Sequence, residues 1–389
     1  MLKWIGRLIA VMLVIAAVVF FSIGPGIVEK GQNGYVAHAP YPISPEAQAL
    51  HDRLVIGDLH ADSLLWNRNL LERSDRGHVD FPRLREGNVA VQVFTAVTKS
   101  PAGQNYEENS AEARDNITLL SIVELWPVKS WSDLTERGLY MAKRMQRYED
   151  KAPDQVRIIR TKADLDAVLA ARAAGQPLTG ALLGSEGGHI LEGDLANLDR
   201  LYAAGYRLMG LTHFFDNALG GSLHGEDNSG LTDFGRAVVE AMVDKHMVID
   251  LAHASPRMAR EVIAMTDQPL ILSHTGIHSH CEVKRNFEDD LMREIAATGG
   301  VIGIGYWEDV TCDASPAGVA KTIKAAIDLV GADHVALGSD YDGSVTVEFD
   351  TSELAALTQA LMDEGLSETE IAGVMGGNMV RVLGEVLPQ

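Results

Sequence analysis

Short unbroken apolar runs alternate along most of the chain with longer stretches whose apolar residues recur at helical spacing. The runs occupy residues 54–59, 89–97, 180–185, 206–212, 247–252, 269–273, 301–306 and 334–339, and most end in Gly, His or Asp. Their Val, Ile and Leu content predicts strands, and their near-continuous apolar character predicts that both faces of each strand are buried. Eight such strands, each followed by a helix, close a (β/α)8 barrel of the TIM type. Helices are predicted at 165–174 and 318–330, the second stopped by Gly331. The interval 101–177 is too long for one crossover helix and predicts a helical insertion beside the barrel.

The N-terminus breaks this rhythm. Residues 8–23 are apolar except Ser22, and the run extends to Val28, which matches the roughly 20 residues a membrane span needs. Lys3 and Arg7 precede it, so the positive-inside bias sends the rest of the chain across the membrane. A cleaved signal peptide is the competing reading, because Ala37 and Ala39 form a small-x-small pair. That pair lies well beyond the apolar run and favours a retained transmembrane anchor. The expected division is an anchor at 1–28, a Gly- and Pro-containing linker at 29–48, and one catalytic domain at 49–389.

Composition narrows the classes. A chain of 389 residues with 46% hydrophobic and 22% charged residues can bury a large core and is not disordered. The net charge of −21 disfavours a nucleic-acid partner. Cys281 and Cys312 are too few for a disulfide framework and lack a Cys-x-x-Cys spacing; whether they pair is left open.

Polar side chains first appear at the C-terminal ends of the runs, where barrel enzymes build their active sites. The first ends Asp58-Leu59-His60-Ala61-Asp62, and positions two apart on an extended chain share a face, so His60 and Asp62 can grip one ion. Later runs deliver Glu186, His213, His253, His274 and Asp340. Imidazoles and carboxylates suit zinc, and a carboxylate can bridge two ions. A water shared by two such ions becomes a hydroxide nucleophile near neutral pH, so the chemistry expected is metal-assisted hydrolysis. Gly184, Gly187 and Gly188 do not form a phosphate loop, since no Lys-Ser/Thr follows; close packing around Glu186 accounts for them.

With these residues in place, the chain resembles the membrane dipeptidase (renal dipeptidase) family of metal-dependent amidohydrolases. The segments GDLHAD, LLGSEGGHIL, GYRLMGLTHFFDNALGGS, VIDLAHAS, ILSHTGIHSHCEVKRN, GGVIGIG, ALGSDYDG and GGNMVRVL carry the resemblance, in family order across nearly the whole body. It implies two zinc ions, one held by His60, Asp62 and Glu186 and the other by Glu186, His253 and His274. It further implies that His213 holds the substrate carbonyl or developing oxyanion, that Arg285 clamps the substrate carboxylate, and that Asp340 shuttles the proton. Asn286 could add a substrate hydrogen bond or cap its own turn. The reaction implied is hydrolysis of dipeptides, with tolerance of a D-residue at the C-terminal position, by an enzyme facing the periplasm or cell surface. Relatives are often dimers, so a homodimer stays open.

Other readings compete. An amidohydrolase acting on a non-peptide amide, lactam or ester would use the same metals, and a surface binding protein could keep the fold without turnover. His278 and His280 depart from the family pattern and are expected to line the pocket rather than bind metal. His224 and Asp216 are substrate-loop residues or merely solvated. Tyr306 and Trp307 are equally suited to walling the pocket and to packing the barrel rim.

Overall fold

Strands that must bury both faces need apolar side chains throughout, and the eight predicted runs meet that demand: every residue in the resulting strands is buried. In the computed structural model, which describes residues 2–389, they are β1 (Ile56–Ala61), β2 (Val89–Ala96), β3 (Thr179–Ser185), β4 (Tyr206–Gly210), β5 (Val248–Asp250), β6 (Ile271–Thr275), β7 (Val301–Ile304) and β8 (Val335–Leu337). Each pairs in parallel with the next, and β8 returns to β1 through Leu337 and Asp58, closing the barrel.

The outer helices begin where the sequence supplies caps. Ser255 and Ser315 each accept a main-chain N–H in the first turn of Pro256–Ile263 and Pro316–Val330, and Pro follows both caps. At the chain's end, the Gly376 backbone lies against the start of β1. A Cβ there would sit 2.3 Å from the Val55 carbonyl oxygen, so only glycine lets the last helix, Asn378–Val386, close that side of the barrel.

The insertion after β2 holds the helices Asn116–Val123, Leu134–Lys151 and Lys162–Ala173. It also holds a short strand, Val156–Ile158, which the sequence reading did not predict. This strand pairs with the first half of β3, while β4 takes the second half of the same edge. Three residues with an exposed Arg157 at their centre give no periodic signal.

The apolar N-terminal segment is one helix, Leu2–Gln32, long and apolar enough to cross a membrane. It is exposed over most of its length, but Pro25 and Glu29 near its end are buried, and it packs beside Asn116–Val123. Residues 29–48, read above as a linker, contact the barrel: Gly34–Tyr35 pairs with Thr346–Val347, and Ser44 caps the helix Pro45–His51. A Cβ on Gly34 would lie 2.3 Å from Thr346 Oγ1, so a larger residue there would displace the Thr346 side chain. Cys281 and Cys312 form a disulfide that joins the loops following β6 and β7.

Candidate metal centre and active site

The strand ends converge on one point. His60 Nε2 lies 3.6 Å from both Asp62 Oδ1 and Glu186 Oε1. His253 Nε2 and His274 Nε2 stand 3.1 and 3.4 Å from the same Oε1 and 3.0 Å from each other. Ligands tetrahedrally arranged with bonds of roughly 2.0–2.1 Å are about 3.3 Å apart, so these side chains are spaced as the ligands of a divalent metal ion are. His213 Nε2 is 3.4 Å from Glu186 Oε2, and Asp340 Oδ1 is 3.7 Å from His60 Nε2.

Local backbone features aim these side chains. The β1–β2 pairing slips between Asp58 and Ala61, and β6–β7 slips between Leu272 and Thr275. Such bulges re-aim side chains at barrel rims, and here they flank His60 and His274. His253 and Asp340 hold left-handed backbones, φ 63° and 59°, uncommon outside glycine and costly unless their surroundings enforce them.

Hydrogen bonds behind the rings select their tautomers. Ser273 Oγ donates to Asp250 Oδ2 at 2.6 Å, so it can only accept from His274 Nδ1 at 2.8 Å and His60 Nδ1 at 3.3 Å. Both rings then carry their proton on Nδ1 and turn an Nε2 lone pair to the centre, as metal-ligating imidazoles do. Thr95 donates to Asp62 Oδ1 at 2.5 Å and fixes that carboxylate.

The electrostatics favour a bound cation. Burial holds His253 and His274 well below the usual imidazole range, keeping each ring neutral with one nitrogen free to ligate. Burial, then Asp62, pushes the Glu186 carboxyl well above its usual range. Burial opposes charge on His60, yet Glu186 and Asp62 raise it to about 10, the response of a ring standing where positive charge is wanted. Burial pushes Asp340 up to about 8.

Beside this centre lies a cavity of about 100 Å³, lined by Glu186, His213, Arg285, Trp307 and Asp340 among others. Arg285 is buried; its Nη2 donates to the His274 carbonyl at 2.7 Å, while Nε and Nη1 have no partner among the described residues. Asn286 is committed to its own loop: Oδ1 accepts from Gly276 N, and Nδ2 donates to the carbonyls of Cys281 and Val310. The His213 ring is neutral, held down to about 4 by burial. Its Nδ1 is 3.4 Å from the Lys99 carbonyl and its Nε2 3.4 Å from Glu186 Oε2, both acceptors, so either nitrogen can carry the ring's single proton.

The remaining candidates divide. His278 and His280 do not line this cavity, against expectation: His278 meets Glu288 at 3.4 Å and His280 is exposed, because the loop turns outward toward its disulfide. Asp216 accepts from the amides of Ser222 and Asp227 and ties its own loop. His224 is buried, bonded through Nδ1 to the Tyr106 carbonyl. Trp307 walls the cavity and donates to the Tyr106 hydroxyl, whereas Tyr306 packs behind it against Tyr341 and Phe349. Sequence reasoning missed Tyr106, which the insertion brings to the cavity, and the supporting Thr95, Asp250 and Ser273.

Comparison with known proteins agrees with this geometry. The family described as membrane dipeptidase (peptidase family M19) matches residues 44–387. Dipeptidase aclJ of Aspergillus oryzae is 30% identical over 375 residues, covering 88% of this chain and 80% of its own. Among solved structures, the probable dipeptidase PvdM of Pseudomonas aeruginosa superposes with a TM-score of 0.73 at 20% identity, covering 88% of this chain and 97% of its own. A metallo peptidase of Rhodobacter sphaeroides, liganded with a phosphinate mimic of the dipeptide L-Ala-D-Ala, gives a TM-score of 0.68 at 22% identity, covering 86% and 99%. A barrel whose strand ends gather histidines and carboxylates into sites able to hold metal, matched by this family over its whole catalytic body, belongs to the membrane dipeptidases, peptidase family M19.

Proposed function

We propose that the protein hydrolyses dipeptides with two zinc ions, at an active site held outside the cytoplasm by its N-terminal helix. His60, Asp62 and Glu186 would hold one ion, and Glu186, His253 and His274 the other. When bound, the ions would supply Lewis acidity toward the scissile carbonyl and toward a water molecule.

The protein's own groups do the rest. Arg285 pairs with the substrate's terminal carboxylate through the Nη1 end of its guanidinium, which is not taken up by the protein. Neutral His213 donates from Nε2 to the carbonyl oxygen as negative charge develops there. Asp340, whose raised affinity for protons places it near neutrality, takes the proton from the attacking water and passes it to the leaving amine. Asn286, already bonded to main chain, holds the Arg285 loop instead of the substrate.

The observation that carries this reading is the buried, half-satisfied guanidinium of Arg285 beside the histidine–carboxylate cluster, since a free carboxylate completes it. The R. sphaeroides neighbour's dipeptide mimic ends in a D-residue, which supports acceptance of D-residues at that position. The disulfide supports an oxidising compartment, and Lys3 and Arg7 ahead of the apolar helix support the outward orientation.

The test is Arg285→Met against dipeptides and dipeptide amides. Loss of a charge-assisted bidentate contact costs about 1.5–3 kcal/mol, so kcat/KM on free dipeptides should fall roughly 10- to 100-fold with metal content unchanged. The preference for acids over amides should vanish. Equal loss on both substrates, or none on either, would return the choice to a general amidohydrolase.

A further inference from the structure

The loop that follows β8 carries Asp340 and continues along the cavity through Gly343, Ser344 and Val345. Its backbone is strained: Asp340, Asp342 and Ser344 all lie in the left-handed region, at φ 59°, 65° and 64°. Three non-glycine residues in that region within five positions persist only where neighbours over-determine them. The neighbours come from the end of the N-terminal helix. Asn33 Oδ1 accepts from Ser344 N at 2.9 Å, Gly34 N donates to the Val345 carbonyl at 3.0 Å, and Val36 N donates to the Val347 carbonyl at 2.9 Å. Deeper in, Glu29 is bonded to Arg68 and to Arg76, and Arg68 passes on to the Asp342 carboxylate. Ser63 Oγ and His78 N complete Asp342, and His78 Nε2 reaches back to the Gly34 carbonyl. Glu29, Arg68 and Asp342 are all buried.

We infer that residues Glu29 to Val36, where the apolar helix leaves off, are a clamp that positions the Asp340 loop, with Glu29 and Asn33 as its positioning residues. The inference rests on the role given to Asp340 above. It gives the helix a second task beyond anchoring, because a chain cleaved after Ala39 would lose every clamp contact while keeping all the proposed metal ligands.

The test uses the full chain in detergent, comparing Glu29→Ala, Asn33→Ala and Glu29→Gln with the unaltered protein. Glu29→Ala leaves Arg68 buried without one of its carboxylates, so amide hydrogen exchange within 340–347 should quicken about tenfold or more. Over the same series kcat should fall while KM and metal content hold. Glu29→Gln keeps one oxygen acceptor and should recover part of both losses. Unchanged exchange in 340–347, or a lower melting temperature with kcat per folded molecule intact, would overturn the clamp. If the unaltered protein proves inert on dipeptides, the function assigned above fails, while the exchange arm still decides whether the clamp exists.

Discussion

Two layers of buried carboxylates meet at the catalytic end of the barrel and solve the same physical problem differently. Asp58 and Asp250 lie within the strands and are surrounded by protein donors. Asp58 accepts from the main chain of His60 and Ser339, from Gln92 and from Ser339 Oγ. Asp250 accepts from the amides of Ala252 and Ser273 and from Ser273 Oγ. At the rim above them, Glu186 faces the rings of His60, His213, His253 and His274. A buried carboxylate is costly unless hydrogen-bonded or paired with positive charge. The lower layer is satisfied by the fold and stitches strands together; the upper layer is left for a cation. Residue type alone does not separate them, since Asp58 and Asp62 sit in one hexapeptide and only their donors differ.

The contrast breaks most sharply at Glu186. Glu186→Gln should lose most bound metal and cut kcat/KM by more than about 100-fold, beyond the cost typical of outer partners of a metal ligand. With metal stripped from both proteins, the variant should melt no lower than the parent, because it removes a buried charge. Metal analysis and paired melting curves check this; full metal content with normal turnover would put Glu186 in the lower layer.

Ser273 joins the layers, bonding Asp250 below and the His274 and His60 rings above. Ser273→Ala frees the tautomers of both rings, and metal affinity or activity should drop about 10- to 100-fold. A titration showing unchanged affinity would mean that the rings are oriented by something else. The smallest functional effect belongs to Asp58→Asn, which sets an amide N–H against donors. It should cost about 1–3 kcal/mol of stability while leaving metal content near that of the parent. A loss of metal comparable to that of Glu186→Gln would erase the distinction.

How much of this was legible in the sequence follows from what each feature depends on. The eight strands could be read because double burial forces unbroken apolar runs, and the candidate site residues because polar side chains gather where such runs end. The strand Val156–Ile158 and the pair Gly34–Tyr35 with Thr346–Val347 were too short to leave a pattern. Thr95, Asp250 and Ser273 went unassigned because their roles exist only between strands far apart in sequence, and Tyr106 because an irregular insertion brings it in. Arg285 was assigned through family resemblance; the chain itself shows only a basic residue in a loop. Asn286 shows the limit, since one residue away its amide is bonded entirely to main chain.

The bond between Cys281 and Cys312 gives one wall of the cavity an oxidation state. It encloses the stretch from the Arg285 loop to just beyond Trp307, 31 residues apart at its ends. Protein made in a reducing cytosol therefore differs chemically from protein that has been exported, even with identical sequence and metal load. A cross-link of this span restricts the unfolded chain by about 2–4 kcal/mol, so the reduced form should melt lower. Its guanidinium, freed from one tether, should bind carboxylates less tightly, and preparations of mixed thiol content should give dipeptide saturation curves that are sums of two hyperbolas.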